Sequence, residues 1–218
     1  MAGLNYSTLR EQVANILRKR ILDGTIQPGE RIKEIDISNE FNISRGPVRE
    51  ALRQIEQEGL VQYEANRGCT VRELSYSSMN EMYLIRVTLE KLAVEIVAGV
   101  FSESTIQKME REIEELEKAV HMRVLSEIVA HDETFHSLIV LEAKSERLYR
   151  MWKSFEGENA AAYYTMNRND LMPAEHIKRN HQWILNACKE GDVEKICTLL
   201  NEHYMAVPET LHKNKVEQ

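Results

Sequence analysis

The hydrophobic period of this chain of 218 residues turns from helical to strand-like in one place, between Leu60 and Arg72. Elsewhere apolar residues recur three or four positions apart, the spacing of a buried helix face. β structure is therefore confined to one small hairpin inside an otherwise helical chain. Its two arms are Leu60-Val61-Gln62-Tyr63 and Cys69-Thr70-Val71-Arg72, and Glu64-Ala65-Asn66-Arg67-Gly68 between them has turn composition. Three helices are predicted upstream. Thr8-Leu9-Arg10-Glu11 is a capping box that opens a helix running to about Asp23, with Val13, Ile16, Leu17 and Ile21 as its stripe and Gly24 as its stop. Residues 34–41 give a short second helix with Ile35, Ile37 and Phe41 inward. Asn42-Ile43-Ser44 reads as a tight turn, because Asn tolerates left-handed backbone. Ser44 then caps a third helix through Gln57, and Pro47 sits in its first turn, where no amide donor is missed. Helix, helix, turn, helix, hairpin is the order of a winged helix-turn-helix, predicted here for residues 1–74.

From Ser75 onward the pattern predicts only helices, over 77–100, 103–122, 124–143, 145–167, 173–190 and 192–212. The expected fold is mainly α: the winged helix-turn-helix followed, over 75–218, by an antiparallel six-helix bundle large enough to enclose a pocket. Charge divides the chain at the same boundary. Residues 1–74 hold 11 Lys+Arg and 11 Asp+Glu, so the net charge of −7 falls wholly on the second part, together with all seven histidines. The acidic total is thus no argument against a nucleic-acid partner for the first part. The three cysteines form no CxxC pair, which argues against a disulfide scaffold and for a reducing cytoplasm. No apolar run approaches the ~20 residues of a membrane span. The first residues lack the basic and apolar regions of a secretory signal.

Arg45, Arg49 and Arg53 recur every four residues on the third helix, opposite Val48, Leu52 and Ile55. A recognition helix needs this division: an apolar side on its own domain, and arginines free to reach guanine edges and phosphates. Solvation of an exposed face beside Glu50 and Glu56 is the plainer alternative for the arginines alone. Arg67 and Gly68 at the hairpin tip suit a neighbouring minor groove. Ser44-Arg45-Gly46-Pro47-Val48-Arg49-Glu50-Ala51-Leu52 with Glu58-Gly59-Leu60-Val61, and Pro28-Gly29-Glu30-Arg31-Ile32 before them, resemble the hallmark of the GntR family of bacterial transcription regulators. The resemblance covers about residues 8–73. It implies that Ser44, Arg45, Gly46 and Arg49 contact double-stranded operator DNA, with Arg67 and Gly68 on the wing. Asn42 stands where the family usually has Gly, and Ile35 where some members carry a DNA-contacting Arg.

Asp132 and His136 are four apart on a predicted helix and project from one face, which suits two ligands to one ion. Such a pair also arises by chance. His181 and His203 lie among apolar helical positions, where hydrogen-bonded core histidines are the plainer account. Ala130-His131-Asp132-Glu133-Thr134-Phe135-His136-Ser137-Leu138 nevertheless resembles the signature of the FCD ligand-binding domain of the FadR subfamily. The segments around His181 and Asn201-Glu202-His203-Tyr204 match its later histidines. This resemblance implies one divalent transition metal per chain (Zn, Ni, Mn or Fe) held by Asp132, His136, His181 and His203. Six helices resemble the VanR-type subgroup. His121, His131, His176 and His212 match no ligand position.

Arg86 lies in a largely apolar helix, where an unpartnered charge is costly. Snorkelling or pairing with Glu90 would satisfy it. Tyr83-Leu84-Ile85-Arg86-Val87-Thr88-Leu89-Glu90 resembles the segment whose Arg grips an effector carboxylate, so Arg86, with Tyr83, is expected at the effector, forking onto a small organic acid. The expectation is a cytoplasmic, homodimeric repressor with a metal-bound effector, no membrane partner and no enzymatic activity. Two alternatives stand beside it: a metal-responsive regulator without an organic effector, and an enzyme using the open metal position to activate water. Against the enzyme, no carboxylate beyond Asp132 has a motif-defined role; Glu133 is near but directed elsewhere on the helix.

Overall fold

Helix α1 (Leu9–Leu22) begins at the capping box: Thr8 Oγ1 accepts from the Glu11 amide at 3.2 Å, and Glu11 Oε2 accepts from the Thr8 amide at 2.9 Å. The computed structural model describes residues 8–64, 68–168, 171 and 174–216. The chain divides into two compact units, Met1–Glu73 and Leu74–Gln218. In the first, α1 packs on α3 (Arg45–Gln57) through Val13, Leu17 and Ile21 against a face of Val48, Ala51, Leu52 and Ile55 that is entirely buried. Each Val, Leu or Ile so buried contributes roughly 1.5–3 kcal/mol. Between them, α2 (Glu34–Glu40) turns into α3 through Asn42, which takes the left-handed conformation at φ 51°.

Two expectations for this unit need correction. Ile35 does not face inward but is 39% exposed, while Ile37 is buried. Residues two apart on a helix lie on different faces, so only one of them can meet the core. The sheet also has a third strand: β1 (Arg31–Ile32) joins β2 (Val61–Glu64) and β3 (Gly68–Val71) in the antiparallel order β1-β3-β2. Ile32 and Tyr63 both face Cys69 of the central strand. A strand of two residues is too short to carry a period.

The second unit consists of α4 (Tyr76–Ile96), α5 (Glu103–Met122), α6 (Leu125–Glu142), α7 (Glu146–Lys153), α8 (Glu156–Arg168), α9 (Ala174–Glu190) and α10 (Val193–Val216). The described residues of this unit thus hold seven helices where six are expected, because the run over 145–167 is two. Leu148 and Trp152 of α7 bury into one cluster with Ala93 and Val140, whereas Ala161, Ala162 and Met166 of α8 enter the main core. The chain breaks at Ser154-Phe155, and its two halves serve these different clusters. The main core is built from Met79, Met82, Met109, Phe135, Ile139, Ile184 and Leu200. At one end two backbones touch. A Cβ on Gly99 would lie 2.6 Å from the Gly191 carbonyl oxygen and 3.0 Å from Val193 Cγ2, and both glycines have φ of +73°.

Candidate functional site

On the first unit, α3 presents Arg45, Gly46, Arg49 and Arg53 to solvent, with Ser44 as its exposed N-cap. The Ser44 hydroxyl makes no capping bond to the helix. Arg49 forks onto Glu34 of α2, with Nε 3.1 Å from Oε1 and Nη2 2.9 Å from Oε2. That hydrogen bond, then the charges of Arg49, Arg45 and Arg53, outweigh burial and hold the Glu34 carboxyl below its ordinary range. The three arginines therefore act on one patch. Gly68 opens β3 at φ +76°, and the Arg31 guanidinium lies 3.5 Å from where its Cβ would be. A groove of about 330 Å³ runs between wing and helix, lined by Arg31, Lys33, Glu34, Arg45, Tyr63 and Gly68 among others. Arg67, the other expected wing contact, lies outside the described residues. Arg31 and Tyr63 escape the sequence reading as groove residues, although Arg31 belongs to the Pro28–Ile32 segment.

On the second unit, Asp132 and His136 of α6, His181 of α9 and His203 of α10 come together. One ligand atom from each lies within 4.8 Å of every other. Protons are fixed from behind. His181 Nδ1 is 2.8 Å from the Ile177 carbonyl, which can only accept. Nδ1 therefore carries the proton, and in a neutral ring Nε2 presents a lone pair to Asp132 Oδ1, another acceptor, at 3.0 Å. His136 Nδ1 donates to Glu90 Oε2 at 2.9 Å, and its Nε2 meets His203 Nε2 at 3.1 Å. The His203 Nδ1 is buried with no hydrogen-bond partner. Acceptors thus converge on one point, and what the point lacks is positive charge. Burial raises the Asp132 carboxyl, but the hydrogen bond that a protonated His181 ring donates, then the charge that His136, His181 and His203 carry when protonated, outweigh it and hold the group well below the carboxylate range. Burial, then His181 and His136, push His203 well below its ordinary value, so this ring resists a proton. Three imidazoles and an anionic carboxylate, two of the rings held by acceptors behind them, make a donor set that fits a divalent transition ion.

A cavity of about 200 Å³ opens on Asp132 and His203, with Tyr83, Asn159, Tyr163 and Tyr204 also on its wall. Tyr83, expected at the effector, thus lines this cavity. Arg86 does not. It is wholly buried, with Nη2 2.9 Å from Glu133 Oε2 and its guanidinium 4.2 Å from the Trp152 ring centre. The expected direct grip on a carboxylate is replaced by this internal pair. Glu133, read from sequence as pointing elsewhere, turns inward to neutralise Arg86. Breaking such a buried pair typically costs about 3–5 kcal/mol. Asn159 Nδ2 donates to the same Glu133 oxygen at 3.1 Å, which links the pair to the cavity wall.

The residues that carry the helix, turn and wing, 9–71, match the model described as bacterial regulatory proteins, gntR family. Residues 81–206, which hold the histidine cluster, match the FCD domain. The chain belongs to the gntR family of regulators, with an FCD domain. It is a transcription regulator and not an enzyme. This GntR regulator is 34% identical over 186 residues to the HTH-type transcriptional regulator YdhC of Bacillus subtilis, covering 84% of this chain and 82% of that protein. It is 25% identical over 209 residues to the HTH-type transcriptional repressor RspR of Escherichia coli, covering 96% and 91%. Among solved structures it is similar to a GntR regulator of Rhodococcus, with TM-score 0.79 and 25% identity over 94% of this chain and 99% of that one. No helix among the regulator's described residues is long and apolar enough to cross a membrane.

Proposed function

We propose that this regulator is a cytoplasmic, homodimeric repressor whose operator affinity is set by a small organic acid bound against a divalent transition metal. Asp132, His136, His181 and His203 would hold one ion per chain, Zn, Ni, Mn or Fe. The observation that carries the reading is the convergence of acceptor atoms on one buried point beside a cavity. Bound there, the ion would offer open coordination positions to a carboxylate oxygen. Tyr83 is the proposed effector contact on the cavity wall; Arg86 would act from behind it, through Glu133 and Asn159. Ser44, Arg45, Gly46 and Arg49 are proposed to read a major groove, with Arg67 and Gly68 at the adjacent minor groove. Repression is supported by the name of the Escherichia coli relative.

The test uses an operator selected from random duplexes. Metal-loaded and chelated protein are titrated onto it with a panel of small carboxylates. One acid is expected to raise the melting temperature and release DNA with metal-loaded protein only. DNA affinity that follows the metal alone, whatever acid is added, would remove the organic effector.

The dimer has its own support. Ile85, Leu92 and Ile96 share one face of α4 and are 40%, 44% and 53% exposed. An apolar stripe of this kind suits a second copy, and a two-fold dimer suits a palindromic operator. Leu92→Glu puts a charge in the middle of the stripe. Light scattering at micromolar concentration is expected to give twice 25.3 kDa for the wild type and about one chain mass for the variant. A monomeric wild type would contradict the dimer.

A further inference from the structure

We infer that Glu90 is the positioning residue that fixes how His136 presents itself to the metal. The inference rests on the metal reading above and adds a residue to it. Glu90 lies on α4, is entirely buried, and accepts from three other helices. Its Oε2 takes the His136 Nδ1 proton of α6 at 2.9 Å. Its Oε1 takes the Trp152 indole N–H of α7 at 2.8 Å and the Tyr204 hydroxyl of α10. Each donor leaves the carboxylate little choice. An indole nitrogen can only donate, so Oε1 must remain an acceptor facing Trp152. Oε2 is then the oxygen left for His136, which keeps the ring proton on Nδ1 and leaves Nε2 to the cluster. A carboxylate behind a ligating imidazole fixes the tautomer and raises ligand basicity. Tyr204, held by the same carboxylate, also lines the cavity, so one group supports both the metal ligand and the wall beside it.

Glu90→Gln keeps the size of the side chain and separates its two roles. An amide has one accepting oxygen and one donating nitrogen. The oxygen must stay with Trp152, so the NH2 group meets His136 Nδ1. That nitrogen must then accept, and the ring proton moves to Nε2, the atom aimed at the ion. Zinc affinity is therefore expected to fall about 10–100-fold, with unchanged helix content by circular dichroism. Trp152→Phe removes the donor that pins the amide. In the double variant the amide oxygen can turn to His136 while Tyr204 rotates to accept, and part of the lost zinc affinity should return. A purely structural role predicts the opposite, since a second core change would weaken binding further.

The experiment is zinc competition against a chromophoric chelator for the wild type, both single variants and the double variant. Recovery in the double variant supports the inference. Wild-type affinity in Glu90→Gln overturns it, as does a double variant no better than Glu90→Gln. If the variants do not fold, the imidazole 15N spectrum of wild-type, zinc-loaded protein decides. His136 bound through Nε2 with a proton on Nδ1 is expected, and binding through Nδ1 excludes the role. A wild type that takes up no zinc overturns the metal reading itself, an outcome distinct from failure of the Glu90 role.

Discussion

Replacing His181 by Ala is expected to strip the ion from the protein and lower its melting temperature, while His131→Ala does neither. His181 is wholly buried and its Nε2 points into the cluster, with its other nitrogen held by Ile177. His131 sits one position before Asp132 but pairs with Glu112 at 2.8 Å, away from the cluster. An ion at the cluster would tie α6, α9 and α10 together. Binding to the folded state alone at a hundredfold excess over Kd adds about 2.7 kcal/mol. At ~2–4 °C per kcal/mol for a domain of this size, the melting temperature should fall by roughly 5–11 °C. Chelator should lower the wild type by a similar amount and leave His181→Ala unmoved, which separates metal loss from simple damage to the core. Metal analysis that finds the two variants equally loaded would remove the assignment and the effector site with it.

Arg49→Ala is expected to weaken operator binding by ~1–3 kcal/mol, as loss of a base or phosphate contact does. The side chain is 54% exposed and its one described ion pair is with Glu34. Helicity and assembly should be unchanged, because the truncation uncovers no core. The variant would also leave Glu34 without its fork, as an unscreened carboxylate near the approaching phosphates. Adding Glu34→Gln to Arg49→Ala should therefore recover part of the loss. Gel-shift titration that gives wild-type affinity for Arg49→Ala takes this residue out of the interface.

Much of the DNA-reading unit is legible in sequence because its signals are local. The capping box at Thr8, the left-handed Asn42 and the arginine face of α3 each rest on residues no more than four positions from the next. The metal cluster is legible only in part. Asp132 and His136 announce themselves by helical spacing, but His181 is 49 positions from Asp132 and His203 is 67 from His136, so resemblance has to bring them in. Glu90 and Glu133 are hidden for a different reason. A hydropathy pattern reads a carboxylate as surface, and only tertiary packing brings buried donors such as Trp152, Arg86 and Asn159 to these two. The break between α7 and α8 falls at Ser154-Phe155, with no Pro and with Gly157 already inside α8, so it follows from which core each half meets.

The contact between Gly99 and Gly191 bears on how movement passes through the FCD unit. Side chains at most helix crossings absorb small displacements by changing rotamer. Neither glycine has a side chain to yield, and only Val193 packs beside their contact, so the turn after α4 and the α9–α10 turn behave as two bones meeting with little cartilage. α9 and α10 carry His181 and His203; α4 carries Glu90 and the exposed stripe of Ile85, Leu92 and Ile96. A shift of the α9–α10 turn toward Gly99 must therefore push the end of α4 along with it, or open the contact and admit water between two backbones.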